Sequence, residues 1–158
     1  MTSRERHAPR TFEIATDLAA TAAVVWAHAT SMPDIQRELR PLLRMTYPRA
    51  AAELTPATVP LGRRAFRSWI LLFGAVPVEY DDLTIIVLEP GRFLERSAMF
   101  SQRVWQHERL VTPRAGGCTV TDRLALTPRL AVAEGLQLAI VRLLFRHRHR
   151  NLRRLFGA

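Results

Sequence analysis

Trp105, His107, Arg109 and Asp122 are the residues whose types and spacing could do chemistry together. Residues 103–112 and 118–127 both read as strands, and Pro113-Arg114-Ala115-Gly116-Gly117 between them reads as a turn. With Arg114 to Gly117 as the loop, Pro113 faces Cys118. Arg109 then faces Asp122, His107 faces Leu124, Trp105 faces Leu126 and Val111 faces Val120. Side chains alternate along a strand, so all of these share one sheet face. The same face carries Val120, Leu124 and Leu126, the apolar set of the second strand, and is therefore expected to turn toward the core. Glu108 and Arg123 fall opposite each other on the outer face.

An unpaired charge on an inner face is very costly. Arg109 and Asp122 offer each other a partner, and an arginine can grip a carboxylate through two parallel hydrogen bonds. A buried ion pair often gains nothing net over apolar packing. Three readings follow for the set. It closes a polar patch, with His107 a satisfied core histidine; it forms the polar end of a ligand cavity; or His107 or Asp122 performs acid–base chemistry. A one-residue slip in register would turn the whole set outward.

Other candidates carry less. Trp69, Phe73 and Tyr80 could line a pocket, although aromatic residues on strands are more often plain core. Leu136, Ile140, Leu143 and Leu144 are expected to face the sheet from a C-terminal helix. His147 and His149 are two residues apart and point to different helix faces, and Cys118 has no partner at metal spacing. Asp81-Asp82 reads as a strand-entry charge pair rather than a metal site. There is no phosphate-binding glycine loop. No metal, no cofactor and no catalytic residue is assigned.

The positioning elements follow from pattern. Residues 11–18 alternate as a half-buried strand. Thr21 reads as the N-cap of a short helix, AAVVWAHA, and Pro33 as the first turn of a second, 33–40, which Pro41 ends. A further strand is expected at 42–47, and 48–60, with three prolines, reads as a loop or lid. From 61 to 127 strand signals come in series with turns at Glu89–Arg92 and Pro113–Gly117, an antiparallel meander. Leu130 to Phe156 reads as one helix of about 40 Å at about 1.5 Å per residue. Its first half is apolar almost all round and so is expected to be covered on most sides. Its second half sets Phe145, Leu152, Leu155 and Phe156 among arginines, and Gly157 reads as its stop.

A chain of 158 residues favours one domain, read here as 11–158 after a loose lead-in over 1–10. One cysteine excludes an internal disulfide. No apolar run reaches the roughly 18–20 residues of a membrane span, and the N-terminus lacks a signal-peptide stretch, so the chain is read as cytoplasmic. The net charge is +9, and all 23 basic residues are arginine. That uniformity fits codon bias, while Arg146, Arg148, Arg150, Arg153 and Arg154 on the last helix offer an anionic lipid or nucleic-acid contact.

The order of strand, two short helices, antiparallel strands and long helix resembles the START-like or SRPBCC superfamily, the helix-grip fold. The resemblance to this superfamily, which includes polyketide cyclases, runs from Phe12 to Phe156 and rests on AAVVWAHATSMPDI, EPGRFLER and GGCTVTDRLALTP, with RSWILLFG, SQRVWQHER and LFRHRH resembling a subgroup whose members are labelled ligand-binding or cell-division-inhibitor-like. It implies an α+β fold in which a curved sheet of about seven strands wraps the last helix around a cavity. It implies a small hydrophobic ligand, lipid- or polyketide-like, bound without catalysis. A cyclase or aromatase-type enzyme is the alternative. The pocket residues expected on this reading are Trp69, Phe73, Tyr80, Trp105, His107, Arg109, Asp122, Leu124, Leu136, Ile140 and Leu143.

Overall fold

The tight hairpin around Ala115-Gly116 sets the sheet. Gly116 takes a positive φ of 78°, which glycine adopts at no steric cost. It joins β6 (Gln102–Arg114) to β7 (Gly117–Pro128). The register is the expected one: Pro113 opposes Cys118, Arg109 opposes Asp122, and Trp105 opposes Leu126. Gly117 is required for a second reason. A Cβ there would lie 1.9 Å from the Leu18 carbonyl oxygen, where the neighbouring strand ends.

That neighbour is β1 (Arg10–Leu18), antiparallel to β7 with Ile14 opposite Asp122. On the other side follow β5 (Arg92–Met99), β4 (Val76–Glu89), β3 (Arg64–Leu72) and the short β2 (Leu43–Met45). The seven-stranded antiparallel order is β1-β7-β6-β5-β4-β3-β2. The structure, a computed structural model, describes residues 8–158. Most of the lead-in expected at 1–10 thus lies outside the described residues, and Arg10 already belongs to β1.

Helix α1 (Ala22–Ala29) follows Thr21, which is extended but makes no side-chain cap bond. Helix α2 (Met32–Leu39) is capped by Ser31 Oγ, which accepts from Asp34 N, and carries Pro33 in its first turn. The segment 48–60 contains one helical turn, α3 (Arg49–Ala52). After a 3-10 turn at Ala131–Ala133, α4 (Glu134–Phe156) lies across the concave face and stops at Gly157.

Two apolar clusters fill the space between sheet and helix. Leu18, Val25, Val111, Cys118, Val120 and Leu152 form one. Met99, Trp105, Leu124, Leu126, Val141 and Phe145 form the other, with the Trp105 and Phe145 rings 6.1 Å apart. Along β7, Val120 belongs to the first cluster, Leu124 to the second, and Asp122 lies between them. A polar band therefore crosses the core between two apolar ones.

The first half of α4 departs from expectation. Leu136, Ile140 and Leu143 are 67%, 53% and 65% exposed and do not face the sheet. The helix instead buries Val141, Phe145, Arg148, His149, Asn151 and Leu152. This stripe is set by the polar band, which demands Arg148 and His149 on the inner face. Choosing the inner face by apolarity alone selects the wrong one. Among the described residues, no helix is long and apolar enough to cross a membrane.

Candidate functional site

The polar band is built on β6 and β7 and closed by two helices. Arg109 donates through Nε and Nη2 to the two oxygens of Asp122, at 2.8 Å each. Its Nη1 and Nη2 also donate to Glu38 of α2, at 2.7 and 3.1 Å. Arg148 of α4 donates to the same Glu38 through Nε and Nη2, at 3.0 and 2.8 Å. His28 Nε2 lies 3.2 Å from Glu38, off the line of a well-formed hydrogen bond. Glu38, Arg109 and Asp122 are all but sealed from solvent.

Two histidines extend the band. His107 Nε2 is 2.8 Å from Asp122 Oδ1, and His149 Nε2 is 2.8 Å from Asp122 Oδ2. The other nitrogen of His149 meets Thr16 Oγ1 of β1 at 2.8 Å. His107 Nδ1 lies 3.7 Å from Glu95 Oε2 on β5. Ser97 Oγ donates to Glu95 Oε1 at 2.8 Å and accepts from the Thr84 backbone N–H. Beyond Glu95, Asp81 of β4 closes the series. Its Oδ1 is buried with no hydrogen-bond partner.

Environment splits these carboxyls. Burial pushes Glu38 up, but Arg109 and Arg148 more than offset it and hold it well below the usual carboxylate range. Burial likewise opposes ionisation of Asp122, and Arg109 and His107 reverse it. Burial would raise Glu95, but the His107, Asp81 and Ser97 contacts hold it below its ordinary value. Asp81 goes the other way: burial, then Glu95 beside it, push its carboxyl well up. The two carboxyls of the Asp81–Glu95 pair are thus pushed in opposite directions, Asp81 up and Glu95 down.

A cavity of about 140 Å³ opens beside this end of the band. Its walls are mostly apolar. Met32 and Ile35 come from α2, Leu54 and Val59 from the segment after α3, and Leu83 and Ile85 from β4. Asp81, Glu95, His107 and Arg148 form its polar corner. The 48–60 segment is its roof, through Ala51, Leu54, Thr55, Pro56 and Val59.

The expected pocket residues therefore separate. His107 lines the cavity. Arg109 and Asp122 lie behind it in the buried band, and Trp105 and Leu124 pack in the apolar cluster under α4. Trp69 is half exposed: its neighbour Ser68 is fully buried, and alternation turns Trp69 to the convex side, edge-on to Tyr80. Tyr80 is covered there by Arg67, whose guanidinium is 4.0 Å from the ring centre. Phe73 occupies a positive-φ turn position and is largely exposed. Leu136, Ile140 and Leu143 lie on the outer face of α4. Asp81 and Asp82 are not a matched pair: Asp81 points in, whereas Asp82 takes two hydrogen bonds from Arg67 outside. Glu38, Asp81, Glu95 and Arg148 were missed as site residues. Two cues were available. Glu95 falls opposite His107 once β5 is paired, and Glu38 is three residues beyond Ile35 on one helix face.

Residues 16–156 match a domain of unknown function, DUF8410. The chain belongs to the DUF8410 family. No curated protein matches this DUF8410 chain. Several solved structures share its fold. Protein CV1439 from Chromobacterium violaceum aligns over 95% of this chain and 99% of its own, with a TM-score of 0.72 and 14% identity. The Zhui aromatase/cyclase from Streptomyces sp. R1128 aligns over 93% and 96%, with a TM-score of 0.66 and 12% identity. A START superfamily protein from Mycobacterium smegmatis aligns over 92% and 98%, with a TM-score of 0.62 and 6% identity. The DUF8410 chain therefore has the START/SRPBCC-like helix-grip fold.

Proposed function

We propose that this DUF8410 protein binds a small, mostly apolar molecule in the cavity under the 48–60 roof. The observation that carries the reading is a buried carboxyl group, Asp81, with one oxygen lacking a protein partner, at the polar corner of a mostly apolar cavity. Buried polar atoms are nearly always satisfied, and an orphan beside a cavity points to a group that arrives from outside. Native mass spectrometry of the purified protein tests it. A co-purifying or added small molecule is expected on the wild type. It is expected to be lost from Ala51→Phe, which fills the cavity from a roof position that is 3% exposed. Equal occupancy in that variant sinks the pocket assignment. Acid–base chemistry of the cyclase kind would use the same corner through His107, and turnover of a bound substrate is what would establish it.

A second reading rests on the outer face of α4. Leu136, Ile140 and Leu143 are exposed there, followed by exposed Arg146, Arg150, Arg153 and Arg154. Arg148 is not part of this set, because Glu38 holds it inside. No acid follows Glu134, which is paired with Arg10. Against a second copy of itself this face would bring arginine to arginine. An anionic lipid surface matches both halves, at about 1 kcal/mol per arginine near the surface plus the leucine contacts. Phosphatidylglycerol vesicles are expected to sediment the protein at low salt, and phosphatidylcholine vesicles are not. Leu136→Asp with Ile140→Asp should abolish the effect; sedimentation that survives them counts against this face.

A further inference from the structure

Size and charge narrow what the cavity takes; the inference rests on the pocket reading above. A cavity of about 140 Å³ is close to the roughly 150 Å³ that holds one benzene ring in another protein. Pockets for drug-sized ligands run to roughly 300–1,000 Å³. The walls enclose room for about one six-membered ring, so a sterol, a diacyl lipid or a multi-ring product would leave most of its apolar surface outside them. Ile35, Leu54, Leu83, Ile85 and Phe93 give that ring apolar contact.

The polar corner restricts the remaining atoms. Glu38, Glu95 and Asp122 are ionised, against the guanidinium groups of Arg109 and Arg148. Before any imidazole is counted, these fixed charges leave no surplus cation. Both arginines are already committed to buried carboxylates. A carboxylate ligand would enter beside carboxylates whose arginine partners are already engaged, which disfavours it. A neutral oxygen function meets no such cost. The Asp81–Glu95 pair offers it carboxyl oxygens, of which Asp81 Oδ1 has no protein partner, with Ser97 and His107 holding Glu95 in place.

We propose that the cavity takes a neutral single-ring molecule bearing one hydroxyl or carbonyl oxygen, seated with that oxygen on Asp81 of the Asp81–Glu95 pair and its ring in the apolar part.

Calorimetric titration of the full chain with acetophenone, phenol, benzene and decanoate tests this. Acetophenone and phenol are expected to bind about tenfold tighter than benzene, the worth of one buried hydrogen bond. Decanoate is expected not to bind. Asp81→Leu should erase the preference for the oxygenated rings while benzene still binds, which also reports a folded pocket. Asp81→Asn, whose amide still donates and accepts, should hold acetophenone within about threefold. The wild-type ranking decides even if Asp81→Leu does not fold. Benzene equal to acetophenone, or decanoate bound in place of the rings, overturns this assignment and leaves a pocket for another ligand. No binding by any of the four to wild type overturns it too. If native mass spectrometry also finds the wild type empty, the pocket reading falls with it.

Discussion

Arg109→Met is expected to cost about 3–5 kcal/mol of folding stability, because removing one partner of a buried ion pair leaves uncompensated charge. Here two carboxylates, Glu38 and Asp122, lose four hydrogen bonds at once. A domain of this size holds only about 5–15 kcal/mol in all, so the variant should unfold early in guanidinium. Arg109→Lys keeps the charge but not the fork that spans both acids. Its cost is expected near 1.5–3 kcal/mol, the worth of a hydrogen bond to a charged group. Equilibrium unfolding of both variants against wild type measures this. A loss under about 1 kcal/mol for Arg109→Met, the scale of an exposed pair, would show that the band is not a desolvated ionic centre.

Stability should also fall on both sides of a middle pH range, for opposite reasons. Glu38 and Asp122 have folded values below their ordinary 4.5 and 3.8. Their contribution is complete above those values and is lost as pH falls through the lower folded ones. Asp81 has a folded value well above its ordinary 3.8. Its contribution is complete below 3.8 and is lost as pH rises through the raised value. Denaturant unfolding between about pH 3 and 9 should show both limbs. Asp81→Asn should flatten the upper limb and leave the acid limb in place. An upper limb that persists unchanged in Asp81→Asn would show that the raised titration is not that of its carboxyl.

The hairpin register was legible because a glycine-rich turn fixed the count and alternation fixed the face. Arg109 opposite Asp122 followed from those two facts alone. Glu38 was not legible in the same way. It reaches Arg109 across 71 positions, and a charged residue on a short amphipathic helix reads as solvent-facing until the helix is docked. Arg148 and His149 misled in the same direction. In an arginine-rich segment they look like surface, whereas the apolarity of Leu136, Ile140 and Leu143 suggested an inner face on the side opposite the Phe145 and Leu152 stripe that the helix buries. Asp81 carried no local signal, since its burial depends on how β4 curls over the cavity. The strands were visible from local pattern; the cavity needed helices, strands and the 49–59 segment brought together from distant parts of the chain.

The cavity's two covers are unevenly anchored. α4 is fastened to the centre by Arg148 on Glu38, His149 on Asp122 and Asn151 on the carbonyls of residues 38 and 40. Lifting it would break all of these together. Over residues 49–59, by contrast, the hydrogen bonds are short-range ones, such as Leu54 to Ala51 and Thr58 to Thr55. On the proposed pocket reading, entry and exit are expected under this flap while the long helix stays bolted down, at a rate set by the flap's own packing rather than by the strength of the ionic centre.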